Sequence, residues 1–104
     1  MNGMEEKAAE LGLEPDDYRE LLELFGEAGR SDLEKLRTAV SSGDARAVEE
    51  ASHSFKGASG NLGFEELHEL AADIVRRARS GDMEGIDKLT EALTGRFNET
   101  MKSL

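Results

Sequence analysis

Apolar residues recur at helical spacing through every long segment of this chain, and no stretch shows the sustained alternation of a strand. Pro15 suits the first turn of a helix, where a missing N–H costs nothing. Tyr18, Leu21, Leu22 and Phe25 then form a stripe at i, i+3, i+4 and i+7 that ends near Gly29. Ser31 and Glu34 have capping-box spacing, so a second helix is expected with Leu33, Leu36, Ala39 and Val40 facing inward. Ser42-Gly43-Asp44 stops it and caps the next, glycine taking the left-handed C-terminal position and aspartate the N-cap. A third helix is expected from about Ala45 to Gly60, with Asn61-Leu62-Gly63 as the turn. A fourth spans about Phe64 to Arg79, with Leu67, Leu70, Ala71, Ile74, Val75 and Ala78 at core spacing. Ser80-Gly81-Asp82 repeats the stop-and-cap chemistry, and the last helix presents Met83, Ile86, Leu89, Leu93, Phe97 and Met101. Short connections between amphipathic helices imply antiparallel neighbours. The expected fold is all-α: an antiparallel four-helix bundle with an additional N-terminal helix, one domain over residues 1–104 in which 1–13 form a loosely ordered segment.

Composition narrows the class. The chain has no cysteine, which excludes disulfides and thiolate metal sites. No apolar run approaches the roughly 18–20 residues that span a bilayer, and Met1-Asn2-Gly3-Met4-Glu5-Glu6 lacks the basic and apolar regions of a signal peptide. A cytoplasmic location without membrane contact is expected. The net charge of −10 argues against nucleic acid, whose binding depends on lysine and arginine at phosphates. The charge is uneven. Residues 1–30 hold nine acids and three bases, residues 64–104 nine acids and six bases, but residues 31–63 only five acids against four bases. The middle segment is the least repulsive toward an anion.

That segment contains His53-Ser54-Phe55-Lys56-Gly57-Ala58-Ser59-Gly60-Asn61-Leu62-Gly63. Residues at i and i+3 share a helix face, so Lys56 can place its charge beside the His53 ring. At about 100° per residue, Val48, Ala51, Phe55, Ala58 and Leu62 fall opposite His53, whereas Glu49, Glu50, Lys56, Gly57 and Gly60 flank it. The first set belongs to the core, and His53 is expected at solvent. Glycine inside a helix costs about 0.8–1 kcal/mol relative to alanine, yet two stand on this exposed face. Close approach of another molecule's backbone is the simplest reason for them. Glu49, Glu50, Gly57 and Gly60 are therefore the expected docking residues. Imidazole offers a neutral nucleophile near neutral pH, and lysine is a compact charge on a flexible stem. Together they suit acceptance of a phosphoryl group. Ser59 lies nearer the core side, where a bond to a backbone carbonyl is expected of it rather than contact with phosphate. His68 has no lysine or glycine at matching spacings and reads as a partly exposed structural residue; no H-E-x-x-H spacing suggests a metal.

His53, Lys56, Gly57 and Ser59, closed by Gly63, resemble the signature of the histidine phosphotransfer (HPt) domains of bacterial phosphorelays: His-x-x-Lys-Gly with a small residue two positions on. The resemblance extends over most of residues 15–104 as a pattern of helices and turns. Ser52 stands where members often carry alanine, and both are small. The resemblance implies that His53 is the phosphoacceptor, that Lys56 stabilises the charge of the phosphoryl group, and that Ser59 and Gly63 are structural members of the motif. It implies a monomeric carrier without a cofactor or metal of its own. The partners would be response-regulator receiver domains, whose aspartate gives or takes the phosphoryl group in a magnesium-bound acidic pocket, and a hybrid sensor histidine kinase. No glycine-rich Walker loop and no kinase motif occurs in the chain, so self-phosphorylation from ATP is not expected. The competing reading is an acidic helical adaptor that binds receivers or other partners without being phosphorylated. A binding surface alone has no need of a nucleophile, and His53 with Lys56 speaks against it.

Overall fold

Proline and glycine decide where most of the helices begin and end. The computed structural model describes residues 3–104, with side chains from Glu5 onward. Among these residues are five helices: α1 (Gly3–Glu10), α2 (Pro15–Ser42), α3 (Ala45–Asn61), α4 (Glu65–Arg79) and α5 (Ile86–Lys102). Pro15 opens α2. Gly43 closes it at φ 70°, its N–H donating to the Val40 carbonyl while Asp44 N–H reaches back to Ala39. Asp44 then caps α3, its Oδ1 accepting from Ala47 N–H at 3.1 Å. Gly63 repeats this closure after α3 at φ 77°, with Gly63 N–H on Gly60 O and Phe64 N–H on Ser59 O. Both turns need a residue without a Cβ in the left-handed region, and both satisfy helix-end carbonyls.

Three expectations about element boundaries are corrected. The two helices expected on either side of Gly29 and Ser31 are one continuous α2, and Ser31 caps nothing. Gly29 serves packing instead of termination. A Cβ there would stand 2.6 Å from Phe97 Cε1 and 3.4 Å from Phe55 Cε2, so the missing side chain makes room for the α5 and α3 aromatics. The second correction concerns α5, which starts at Ile86 rather than near Met83, because Gly85, and not Asp82, is its N-cap. Asp82 Oδ1 accepts from Glu84 N–H inside the preceding turn instead. The third is at the N-terminus. Met1 and Asn2, the start of the segment expected to be loosely ordered, lie outside the described residues, but Gly3–Glu10 is helical. Ala8 of α1 is fully buried, and Lys7 Nζ donates to the Gly63 carbonyl at 2.9 Å. The additional helix expected from Pro15 to Gly29 is thus the first part of α2, α1 is a helix that was not expected, and the four-helix bundle is α2–α5.

Each bundle helix packs on its neighbour in the chain, α5 closes back on α2, and α1 lies against α2. Four phenylalanines fill the centre. Phe25 meets Phe55, Phe64 and Phe97 at ring-centroid distances of 5.7, 5.4 and 5.6 Å, and Phe55 meets Phe97 at 5.6 Å. The stripe expected on α2 holds except at Leu21, which is 38% exposed; Leu24 beside it is 61% exposed. Among the described residues no helix is long and apolar enough to cross a membrane.

Gly29→Ala tests the packing role. An added methyl in this core costs about 1–3 kcal/mol, against a gain of up to about 1 kcal/mol in helix propensity. The expected result is a melting temperature lowered by several degrees, since about 1 kcal/mol corresponds to about 4–8 °C in a domain of this size. A raised melting temperature would show that Phe97 moves aside without cost.

Candidate functional site

Helix α3 has two unlike faces. Val48, Ala51, Phe55 and Leu62 are buried, and Phe55 joins the aromatic centre. Ser52 and Ser59 are also fully buried, each turned back on its own helix: Ser52 Oγ donates to Val48 O at 2.6 Å, and Ser59 Oγ to Phe55 O at 2.9 Å and Lys56 O at 3.1 Å. Ser59 is therefore satisfied inside the bundle, as its place on the helix suggested. Neither buried hydroxyl is left unpaired.

His53 lies on the opposite face and is exposed. Neither its ring nor the Lys56 ammonium has a hydrogen-bond or ion-pair partner among the described residues. Lys56 is half-buried, so its stem lies along the surface while its charge stays uncommitted. Gly57, one turn past His53, is open: a Cβ there would meet nothing within 4 Å. An unpaired imidazole, an unpaired cation and a bare stretch of backbone thus share one face.

Gly60, the second glycine of that face, differs. A Cβ on it would stand 2.8 Å from His68 Nδ1 and 3.2 Å from His68 Cε1. The α4 imidazole occupies the notch that Gly60 leaves, and its Nδ1–H donates to the Lys56 carbonyl at 2.9 Å. The absence of a side chain at Gly60 thus has a cause within the bundle. Of the two glycines, Gly57 is the one that leaves the helix surface open.

The two acidic candidates are both engaged. Glu50 pairs with Arg46 at 3.4 Å along α3, and Glu49 takes Arg79 Nε of α4 at 3.0 Å. Arg79 belongs to a basic last turn of α4 with Arg76 and Arg77, both of which lean on Asp73. On the α2 side, Ser54 Oγ donates to Asp32 Oδ2 at 2.9 Å. Sequence reasoning missed Arg79 and the His68 contact for one reason: each is brought to α3 by a helix 12 to 30 positions away. Gly63 stays structural, turning the chain at the end of α3.

Residues 20–100 match the family model of the Hpt domain. The fold matches the crystal structure of histidine-containing phosphotransfer protein B from Pseudomonas aeruginosa PAO1 with a TM-score of 0.84 and 29% sequence identity, covering 91% of this chain and 83% of that one. No curated protein matches the chain. The chain belongs to the Hpt domain family, a class of all-helical modules that carry phosphoryl groups and do not act as kinases.

The two glycines of the exposed face should respond oppositely to the same change. Gly57→Ala is expected to raise stability by up to about 1 kcal/mol, the difference in helix propensity. Gly60→Ala is expected to lower it or leave it unimproved, because the methyl displaces His68. Chemical denaturation of both variants reads the difference. An equal gain in both would show that the His68 ring adjusts freely.

Proposed function

We propose that this chain is a phosphorelay carrier whose His53 accepts a phosphoryl group from a receiver-domain aspartate and passes it to another receiver. Membership of the Hpt family supports the class, since Hpt proteins interact with response-regulator receivers and kinases in phosphorelays. The observation that carries the residue assignment is the exposed, unpaired His53 ring beside an unpaired Lys56 and an open Gly57. In the reaction the lone pair of a neutral ring nitrogen forms the N–P bond. The P–O bond to the aspartate breaks, and the aspartate leaves as carboxylate. Such transfers depend mainly on positioning and charge stabilisation. Lys56 would face the phosphoryl oxygens, and the receiver would bring the acidic, magnesium-binding pocket. Glu49, Glu50 and Gly57 would border the docking surface.

Incubation with a phosphorylated receiver tests the proposal. Wild-type protein is expected to take up acid-labile, base-stable label, and His53→Gln to take up none while keeping its melting temperature, since the ring is exposed and without a hydrogen-bond partner among the described residues. Label retained in the variant, or mapped to His68, would overturn the assignment.

Gly57→Leu tests the docking face. A leucine here stands where the receiver backbone must approach, while the helix gains propensity at an open position. The expected outcome is a fold at least as stable as wild type, with receiver binding and label transfer sharply reduced. Undiminished transfer in this variant would mean that no partner comes close to Gly57.

A further inference from the structure

We propose that His68 is a positioning residue for phosphoryl transfer, holding Lys56 in place beside His53 through the hydrogen bond from its ring to the Lys56 carbonyl. The inference rests on the reading of His53 and Lys56 given above, and it concerns a residue that makes no contact with the transferred group.

Among the described residues, two polar side-chain links join α4 to α3, and they lie on either side of His53. Arg79 reaches Glu49, four residues before the histidine, and His68 reaches Lys56, three residues after it. The first is an exposed ion pair whose partners can let go at little cost. The second is built more firmly. The imidazole is half-buried and sits against the helix backbone at Gly60, in space that any side chain there would fill. Its Nδ1 must carry the proton to donate to a carbonyl.

The carbonyl it reaches is that of the residue bearing the free cation. Lys56 O also accepts from the buried Ser59 hydroxyl, so this peptide is held from inside α3 and from across α4. The Lys56 side chain has a flexible four-carbon stem and no partner of its own to fix it. Where its ammonium can reach is set by how α3 stands against α4 at this level. His68 sets that distance: too close is prevented by the ring in the Gly60 notch, and separation is opposed by the hydrogen bond.

The test uses the intact protein and a phosphorylated receiver, following the rate of transfer at saturating receiver and receiver affinity separately. His68→Leu keeps a side chain over Gly60 but removes the donor. His68→Asn places an amide nitrogen where Nδ1 stands. The leucine variant is expected to transfer about five- to tenfold more slowly, the scale of one net hydrogen bond, with affinity unchanged. The asparagine variant should recover most of the rate. In a Lys56→Ala background, His68→Leu should have no further effect, because coupled residues are not additive. Should His68→Leu fail to fold, Gly60→Ala, which displaces the same ring, takes its place in the cycle. Full-rate transfer by His68→Leu, or an equal loss with and without Lys56, would overturn the inference while leaving the phosphoacceptor reading intact. Failure of wild-type His53 to take label overturns that reading and this inference with it. Nitrogen NMR of the wild-type His68 ring tests the link independently of transfer: a proton on Nε2 alone would exclude the hydrogen bond.

Discussion

The structure depends on the packing of Phe55 and Phe97 against the side-chain-free surface of α2 at Gly29. A Cβ at that position would stand inside the Phe97 ring's contact distance, so the two aromatics meet each other and Phe25 only because α2 is bare there. That contact fixes the rotation of α3 about its axis. With Phe55 turned to the centre, Ser52 and Ser59 are buried beside it, and His53 is carried to the opposite side. The exposure of the candidate phosphoacceptor follows from the core and needs no interaction of its own. Any change that lets α3 roll would move His53, Lys56 and Gly57 together.

Glycine serves this chain in three physically distinct ways, and the sequence alone does not tell them apart. Gly43 and Gly63 supply left-handed backbone at helix ends. Gly29 and Gly60 keep helical conformation and supply room, the first for an aromatic ring and the second for an imidazole. Gly57 supplies neither and faces nothing within the protein. Gly95 within α5 is open in the same way, so the lack of an internal contact does not by itself distinguish Gly57. The tertiary structure sorts the five, and it leaves one on the face of His53.

The electrostatics of the site are made by the bundle more than by the segment. Locally, α3 places two glutamates beside His53, which by themselves would repel an anion. Arg46 answers Glu50 from within the helix, and Arg79 answers Glu49 from α4. Among the described residues near His53, the Lys56 ammonium is a cation without a partner, and Asp32, which accepts from Ser54, is an acid without an ion pair. On a protein of net charge −10, the two glutamates beside His53 are thus answered by arginines.

Much of this was legible in the sequence because helices bury faces with a fixed period. The period alone put Phe55 and His53 on opposite sides of α3, gave antiparallel helices across short turns, and placed the Gly43–Asp44 stop and cap where they stand. The shared face of His53, Lys56 and Gly57 was set by spacing within a single helix, so no other element had to be known. What the sequence misassigned lay wherever a distant helix supplies the reason. Gly29 and Ser31 carry the local marks of a helix end, and only Phe97, 68 residues away, makes Gly29 a packing position within an unbroken α2. Gly60 reads as an open face until His68 of α4 fills it, and Glu49 as a free acid until Arg79 reaches it. Asp82 carries the mark of a cap, yet α5 begins after Gly85. Local chemistry determined which residues of α3 face solvent; which of them remain free was decided by the side chains that neighbouring helices bring.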